Sequence, residues 1–241
     1  MSKKIRLFCF PFAGGSKYSY DYLLKAEIPH LEVLCFDYPG RGSRFQEAYY
    51  TNIDEVVEDV FNQVKDMMDR PYIIYGHSMG ALVTYLLTRK IKDYRLNPPL
   101  KIFLSGRQGP SCKPRARKKY LLPRDEFFKE IEKYGGAPEE LLKEESILDI
   151  FEPILRADFQ ATENYLHDKS VDLKLPMEVF YGDEESFNDL DVELWRKEST
   201  AQVNIHLLKG KHFFIFDEEN KAFIIQKIRN FIVNSTALSF N

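Results

Sequence analysis

Short apolar runs recur along the chain at Ile5–Phe10, Leu31–Phe36, Tyr72–Tyr75, Ile102–Leu104, Met177–Tyr181 and Val203–Leu208. Each is brief and rich in β-branched and aromatic residues, the composition of a buried strand rather than of a helix. Helical spacing fills the intervals. It is clearest from Asn52 to Met68, where Ile53, Val56, Val57, Val60, Phe61, Val64, Met67 and Met68 fall on one face and Asn52 can cap the first turn. Strands alternating with helices predict an α/β fold, with a mostly parallel sheet covered by helices on both faces.

The rhythm breaks between Leu104 and Met177, an interval far longer than a crossover helix needs. Helical patterns around Arg124–Tyr134 and Ser146–Ala157 mark an inserted helical segment, expected to form a lid over about residues 111–169. Linker-like composition and internal repeats are not found, so residues 1–241 read as one domain. At the start of the insertion, Lys113-Pro114-Arg115-Ala116-Arg117-Lys118-Lys119 holds five positive charges in seven residues. The run reads either as a solvated loop or as a docking patch for an acidic partner.

Composition changes the picture mainly by exclusion. Lys and Arg total 34 against 37 Asp and Glu, a formal net charge of -3, so the chain lacks the basic excess that would draw it to a phosphate backbone. Nucleic acid is not an expected partner. No apolar stretch reaches the length of a membrane helix, and Met1-Ser2-Lys3-Lys4-Ile5-Arg6 leads into too short and charged a run for a signal-peptide core. The expectation is a cytoplasmic monomer without a membrane partner. Cys9, Cys35 and Cys112 lack the spacing of a zinc site or a disulfide framework, so no metal is expected.

The chemistry lies at Gly76-His77-Ser78-Met79-Gly80, which follows an apolar β-rich run and precedes the helix-forming Ala81-Leu82-Val83-Thr84-Tyr85-Leu86-Leu87. A G-x-S-x-G in that setting is a nucleophile elbow, where a strand turns sharply into a helix and leaves the serine exposed above the sheet. A serine hydroxyl needs an adjacent base, and the base needs an orienting group, delivered in this fold in the order Ser, acid, His. Of the five histidines, His30, His77 and His167 come too early, and His206 lies within the alternation of the last strand candidate. His212, just beyond that strand, is the expected base. The acid is expected in Gly182-Asp183-Glu184-Glu185, the loop after the penultimate strand. Backbone donors for a developing oxyanion are expected at Met79, the residue after the serine, and at Ala13 in the glycine-rich loop Phe10-Pro11-Phe12-Ala13-Gly14-Gly15-Ser16.

Further motifs carry a resemblance. "FPFAGGS" at 10–16, "YPGRG" at 38–42, "GHSMGAL" at 76–82, "SGR" at 105–107, "LPRDEFF" at 122–128, "YGGAPEELL" at 134–142 and "LRADF" at 155–159 make the chain similar, over nearly its whole length, to the type II thioesterases of nonribosomal peptide and polyketide synthesis. The resemblance implies an α/β-hydrolase fold with a helical lid. It also implies hydrolysis of acyl or aminoacyl thioesters from the phosphopantetheine arm of a transiently bound acyl or peptidyl carrier protein, without a cofactor of its own. It carries the nucleophile to Ser78, the base to His212 and the oxyanion donors to Ala13 and Met79. That family usually has an aspartate three residues after the strand-ending glycine. Here Glu185 stands at that position and is the expected acid, with Asp183 as the alternative. An acyl-CoA thioesterase or carboxylesterase of the same fold would share these features, and a carrier-binding module with a decayed triad would share most of them.

Overall fold

The computed structural model describes residues 4–113, 117–135, 144–169 and 171–238. Its strands are β1 (Ile5–Phe10), β2 (Leu31–Cys35), β3 (Tyr72–His77), β4 (Ile102–Ser105), β5 (Met177–Gly182) and β6 (Val203–Leu208). They form one parallel sheet in the order β2-β1-β3-β4-β5-β6. The helices are α1 (Asp21–Lys25), α2 (Ile53–Val64), α3 (Met79–Asp93), α4 (Arg124–Glu132), α5 (Glu145–Glu163), α6 (Asp189–Glu193) and α7 (Glu218–Leu238).

Alternation along each strand divides the interior in two. Phe8, Phe10, Tyr72, Ile74, Ile102, Leu104, Met177 and Val179 pack with α2 and α3. Leu7, Cys9, Ile73, Tyr75, Phe103 and Phe180 face the other way, onto Ile224, Ile228 and Ile232 of α7. Both faces are therefore apolar over the inner strands β1, β3, β4 and β5, which is why these read as continuous runs, while edge strand β6 alternates. In α2 the buried residues Ile53, Val56, Val57, Val60, Phe61 and Val64 form the expected stripe, and the Asn52 side chain accepts the Asp54 N–H at 2.8 Å. The helix ends sooner than its pattern, at Val64, and continues as a 3-10 turn over Lys65–Met67.

The interval between β4 and β5 contains α4 and α5. Ser146–Ala157 was the predicted extent of the second helix, but α5 runs on to Glu163 and passes through Pro153. The turns beyond Ala157 bury Asp158 and Ala161, with the aspartate in a position normally apolar. Among the described residues, no helix is long and apolar enough to cross a membrane.

Candidate active site

Strand order reverses at β1: the chain leaves β1 for β2 on one side and returns to β3 on the other. Loops leaving two such strands diverge and open a crevice at their C-terminal ends. One wall of that crevice is the loop from Pro11 to Ser16, and β3 delivers Ser78 to the other.

Ser78 links β3 to α3 with φ 56° and ψ −111°, a backbone conformation that L-residues avoid. Its surroundings enforce it. The Ser78 N–H donates to the Ser105 carbonyl at 2.8 Å, and the Ser78 carbonyl accepts Ala81 N–H at 3.1 Å and Leu82 N–H at 3.3 Å. A Cβ on Gly76 would overlap the Gly80 carbonyl, and one on Gly80 would overlap the carbonyl of Phe10 on β1. The two glycines thus let α3 start hard against the sheet.

The sequence-predicted residues converge on that elbow. The Ser78 hydroxyl lies 2.9 Å from His212 Nε2, and His212 Nδ1 lies 3.0 and 3.2 Å from the two Glu185 carboxylate oxygens. Glu185 is nearly closed to solvent, with 2% side-chain exposure, which strengthens its hold on the imidazole. Asp183 is turned elsewhere: its carboxylate accepts the Gly210 N–H at 2.7 Å and ties the loop after β5 to the loop after β6. The Glu185 N–H donates to the Gly182 carbonyl at 3.3 Å, a turn that brings Glu185 back toward the serine.

His77, next to the serine, points away from it into the interior. Its Nδ1 is 2.9 Å from Ser105 Oγ, which is in turn 3.0 Å from the Tyr75 hydroxyl. Its Nε2 is buried and unpartnered among the described atoms. Burial, and then the nearby His212, hold the His77 pKa well below the ordinary histidine value, so this ring stays neutral. The other histidines also lie outside the hydrogen-bonded chain. His206 pairs with Glu178 at 2.6 Å and stacks on Phe180, His30 sits on an exposed turn, and His167 contacts the Tyr165 hydroxyl at 3.1 Å.

Ala13 and Met79 both line the same cavity as Ser78, His212 and Glu185. Met79 begins α3, where N–H groups have no intrahelical acceptor and the helix dipole favours negative charge. The cavity measures about 320 Å³. Its roof comes from the insertion: Phe128, Ile131 and Tyr134 from around α4, and Phe151, Leu155 and Phe159 from α5. Tyr134 covers His212 with ring centroids 4.8 Å apart. Among the described residues, no cluster of His, Cys, Asp or Glu could hold a metal ion.

The basic run is partly engaged. Arg117 pairs with Glu126 at 2.6 Å, Lys118 donates to the Glu163 carbonyl, and Lys119 Nζ lies 3.5 Å from the Glu163 carboxylate. Residues 114–116 of the run, and most of the "YGGAPEELL" motif, fall outside the described residues.

Two further side chains border the site without having been singled out as functional. Asp158 of α5 accepts the Gly14 N–H at 2.8 Å and is gripped by both Nη atoms of Arg41. The signals were present in "LRADF" and "YPGRG", motifs that carried only the resemblance.

Comparison with known proteins identifies the family. A family model described as a thioesterase domain matches residues 5–232. The gramicidin S biosynthesis protein GrsT of Aneurinibacillus migulanus is 32% identical, over 90% of this chain and 85% of that protein. Thioesterase PikA5 of Streptomyces venezuelae is 31% identical, over 89% of this chain and 76% of that protein. The crystal structure of ClbQ from the colibactin NRPS/PKS pathway superposes with a TM-score of 0.89 at 25% identity, covering 98% of this chain and 99% of that one. Parallel sheet, elbow, and a match running through nearly every element place the chain in the thioesterase domain family, as a hydrolase of the α/β-hydrolase fold acting on thioesters.

Proposed function

We propose that this thioesterase is of the type II, editing kind, clearing acyl or aminoacyl groups from the phosphopantetheine arm of carrier proteins in nonribosomal peptide or polyketide synthesis. Ser78 Oγ attacks the thioester carbonyl carbon as His212 Nε2 takes its proton. Glu185 holds the imidazole in the tautomer with hydrogen on Nδ1 and stabilises the imidazolium. The N–H groups of Ala13 and Met79 receive the negative oxygen. As the C–S bond breaks, the arm leaves as a thiol carrying the proton from His212. Water then gives a proton to His212 while adding to the acyl-serine, and the carboxylic acid departs with Ser78 restored.

The observation carrying this reading is the unbroken hydrogen-bonded chain from Glu185 through His212 to Ser78, opening on a mostly apolar cavity. The relatives support the carrier: one is a gramicidin S biosynthesis protein, and one belongs to an NRPS/PKS pathway. On this reading the protein brings no cofactor, since pantetheine arrives on the transient carrier partner. It works in the cytoplasm as a single domain, with residues of about 111–169 acting as the lid.

The test is a panel of carrier-bound acyl groups, from acetyl through aminoacyl to long-chain, assayed beside matched soluble esters. Turnover of the carrier-bound thioesters, lost in Ser78→Ala, is the expected result. A strong preference for the soluble esters would overturn the substrate, and turnover surviving in Ser78→Ala would overturn the nucleophile.

A further inference from the structure

The glycine-rich loop is tied down at nearly every peptide. Tyr20 donates its hydroxyl to the Phe10 carbonyl at 2.8 Å, Tyr38 donates to the Pro11 carbonyl at 3.1 Å, and the Gly15 N–H closes a turn on the Phe12 carbonyl at 2.9 Å. Beyond the turn, the Lys17 N–H donates to Asp37 at 2.7 Å. Inside the turn, the Gly14 N–H reaches out of the loop to Asp158 on α5.

That last partner is unusual. Asp158 is 1% exposed and Arg41 5% exposed, so an ion pair has been carried into the interior, where desolvation offsets most of its attraction. Stability alone is a poor reason for such a pair. The pair does supply geometry: Arg41 Nη2 meets Oδ1 at 2.8 Å while Nη1 meets Oδ2, the same oxygen that accepts the Gly14 N–H. Arg41 is steadied in turn by the Tyr38 ring, 5.3 Å from the guanidinium carbon. The carboxylate is thus fixed in position and in plane, and its bond to Gly14 is charge-assisted.

We propose that Asp158, braced by Arg41, is the positioning residue of the oxyanion loop, fixing the Ala13–Gly14 peptide so that the Ala13 N–H is held toward the reacting carbonyl oxygen. The inference rests on the reading of Ala13 as an oxyanion donor. The peptide that Asp158 grips shares its Cα with the residue bearing that donor. With the Phe12–Gly15 bond closing the other side, little freedom remains for the Ala13 N–H. Arg41 has a second effect: it neutralises a carboxylate that would otherwise oppose negative charge growing close by. Asp158 touches neither substrate nor the reacting atoms, and it acts through the loop.

Two double variants separate positioning from mere support. Arg41→Met/Asp158→Asn and Arg41→Met/Asp158→Leu both remove the ion pair without stranding a charge, but only the first keeps an oxygen for the Gly14 N–H. On a soluble acyl thioester, the Leu double is expected to show a kcat about 10- to 100-fold below the Asn double, less than the roughly 100- to 1,000-fold of losing an oxyanion donor outright because the Ala13 N–H is loosened and not removed, with KM within about twofold. Affinity for an alkyl boronic acid, which forms a tetrahedral adduct on a serine, should fall in parallel. Equal kcat in the two doubles, or a difference confined to KM, would overturn the proposal. Should the Leu double fail to fold, amide exchange in the wild type decides: a Gly14 amide protected like those of β1 supports the anchor, and one exchanging at a free-loop rate refutes it. Use of a soluble thioester keeps the test separate from the carrier reading, since wild type that turns over this substrate but not carrier-bound acyl groups would sink only the latter.

Discussion

His77 and His212 lie with ring centroids 4.9 Å apart, yet only His212 reaches Ser78. The neighbour is walled in by Ser105, Phe12, Phe213 and Phe214 and is held neutral by burial and by the proximity of His212. An uncharged His77 leaves the imidazolium of His212 without a competing positive charge beside it.

This neutrality sets a pH dependence. In the unfolded chain His77 takes up a proton below about pH 6.5, while in the fold it does so only at much lower pH. The unfolded state then binds more protons, so stability falls as pH drops below about 6.5 and continues to fall until the folded pKa is passed. The contribution approaches about 1.4 kcal/mol per pH unit for one proton. Denaturant unfolding of wild type and His77→Asn between pH 7 and 5 should show a shallower slope in the variant. Parallel slopes would mean that His77 is charged in the fold.

Glu185 and Asp183 leave the same turn two residues apart, and their hydrogen bonds predict opposite sensitivities. Glu185→Gln keeps the shape but cannot stabilise the imidazolium or enforce the tautomer, and a fall in kcat of about 10⁴-fold is expected. Asp183→Asn retains an oxygen for the Gly210 N–H and should stay within about threefold of wild type. Steady-state kinetics on one acyl thioester decides between them, and the reverse ranking would move the acid to Asp183.

Much of this was readable beforehand because the relevant signals are local. Each of the four inner strands announces itself by a run buried on both faces, and the elbow needs only Gly76, Ser78 and Gly80 in register with a strand and a helix. Chain order then isolates His212. The choice between Asp183 and Glu185 turns on how the loop after β5 carries two carboxylates two residues apart, and which of them reaches His212 is visible only in three dimensions. The Arg41–Asp158 pair joins residues 117 positions apart, and in a linear pattern a buried aspartate on a helix looks like a solvent-facing one. That aspartate lies on the inner face of α5, just beyond Ala157, where the apolar pattern of the helix is interrupted.

The elbow stores strain that a glycine would release. A side chain at φ 56° and ψ −111° costs about 1–3 kcal/mol, against about 0.5–1 kcal/mol for the extra unfolded-state freedom of glycine. Ser78→Ala keeps the Cβ and the strain, whereas Ser78→Gly loses both. Both variants should be inactive, with Ser78→Gly the more stable by about 1 kcal/mol, or roughly 2–4 °C in Tm for a chain of this size. Calorimetry on the pair measures this directly, and a glycine variant no more stable than the alanine one would show that the elbow is unstrained.

The insertion does not open as one piece if burial governs its motion. The second half of α5 is held from below: Ile154, Ala157, Asp158 and Ala161 are buried, and Arg41 clasps Asp158. Toward its start the same helix buries only Leu148 and exposes Ile150 and Phe151, at 52% and 42%, and α4 buries only Phe127 among its residues. Local opening draws on segments with the least buried apolar area, so α4 and the first turns of α5 form the part able to lift from the cavity. Hydrogen exchange should find amides of residues 124–132 and 148–152 exchanging at least about tenfold faster than those of 157–163, with the difference changing when an acylated carrier is added. Uniform protection along α5, unaffected by carrier, would mean that the roof is rigid and that the acyl group reaches Ser78 by another path.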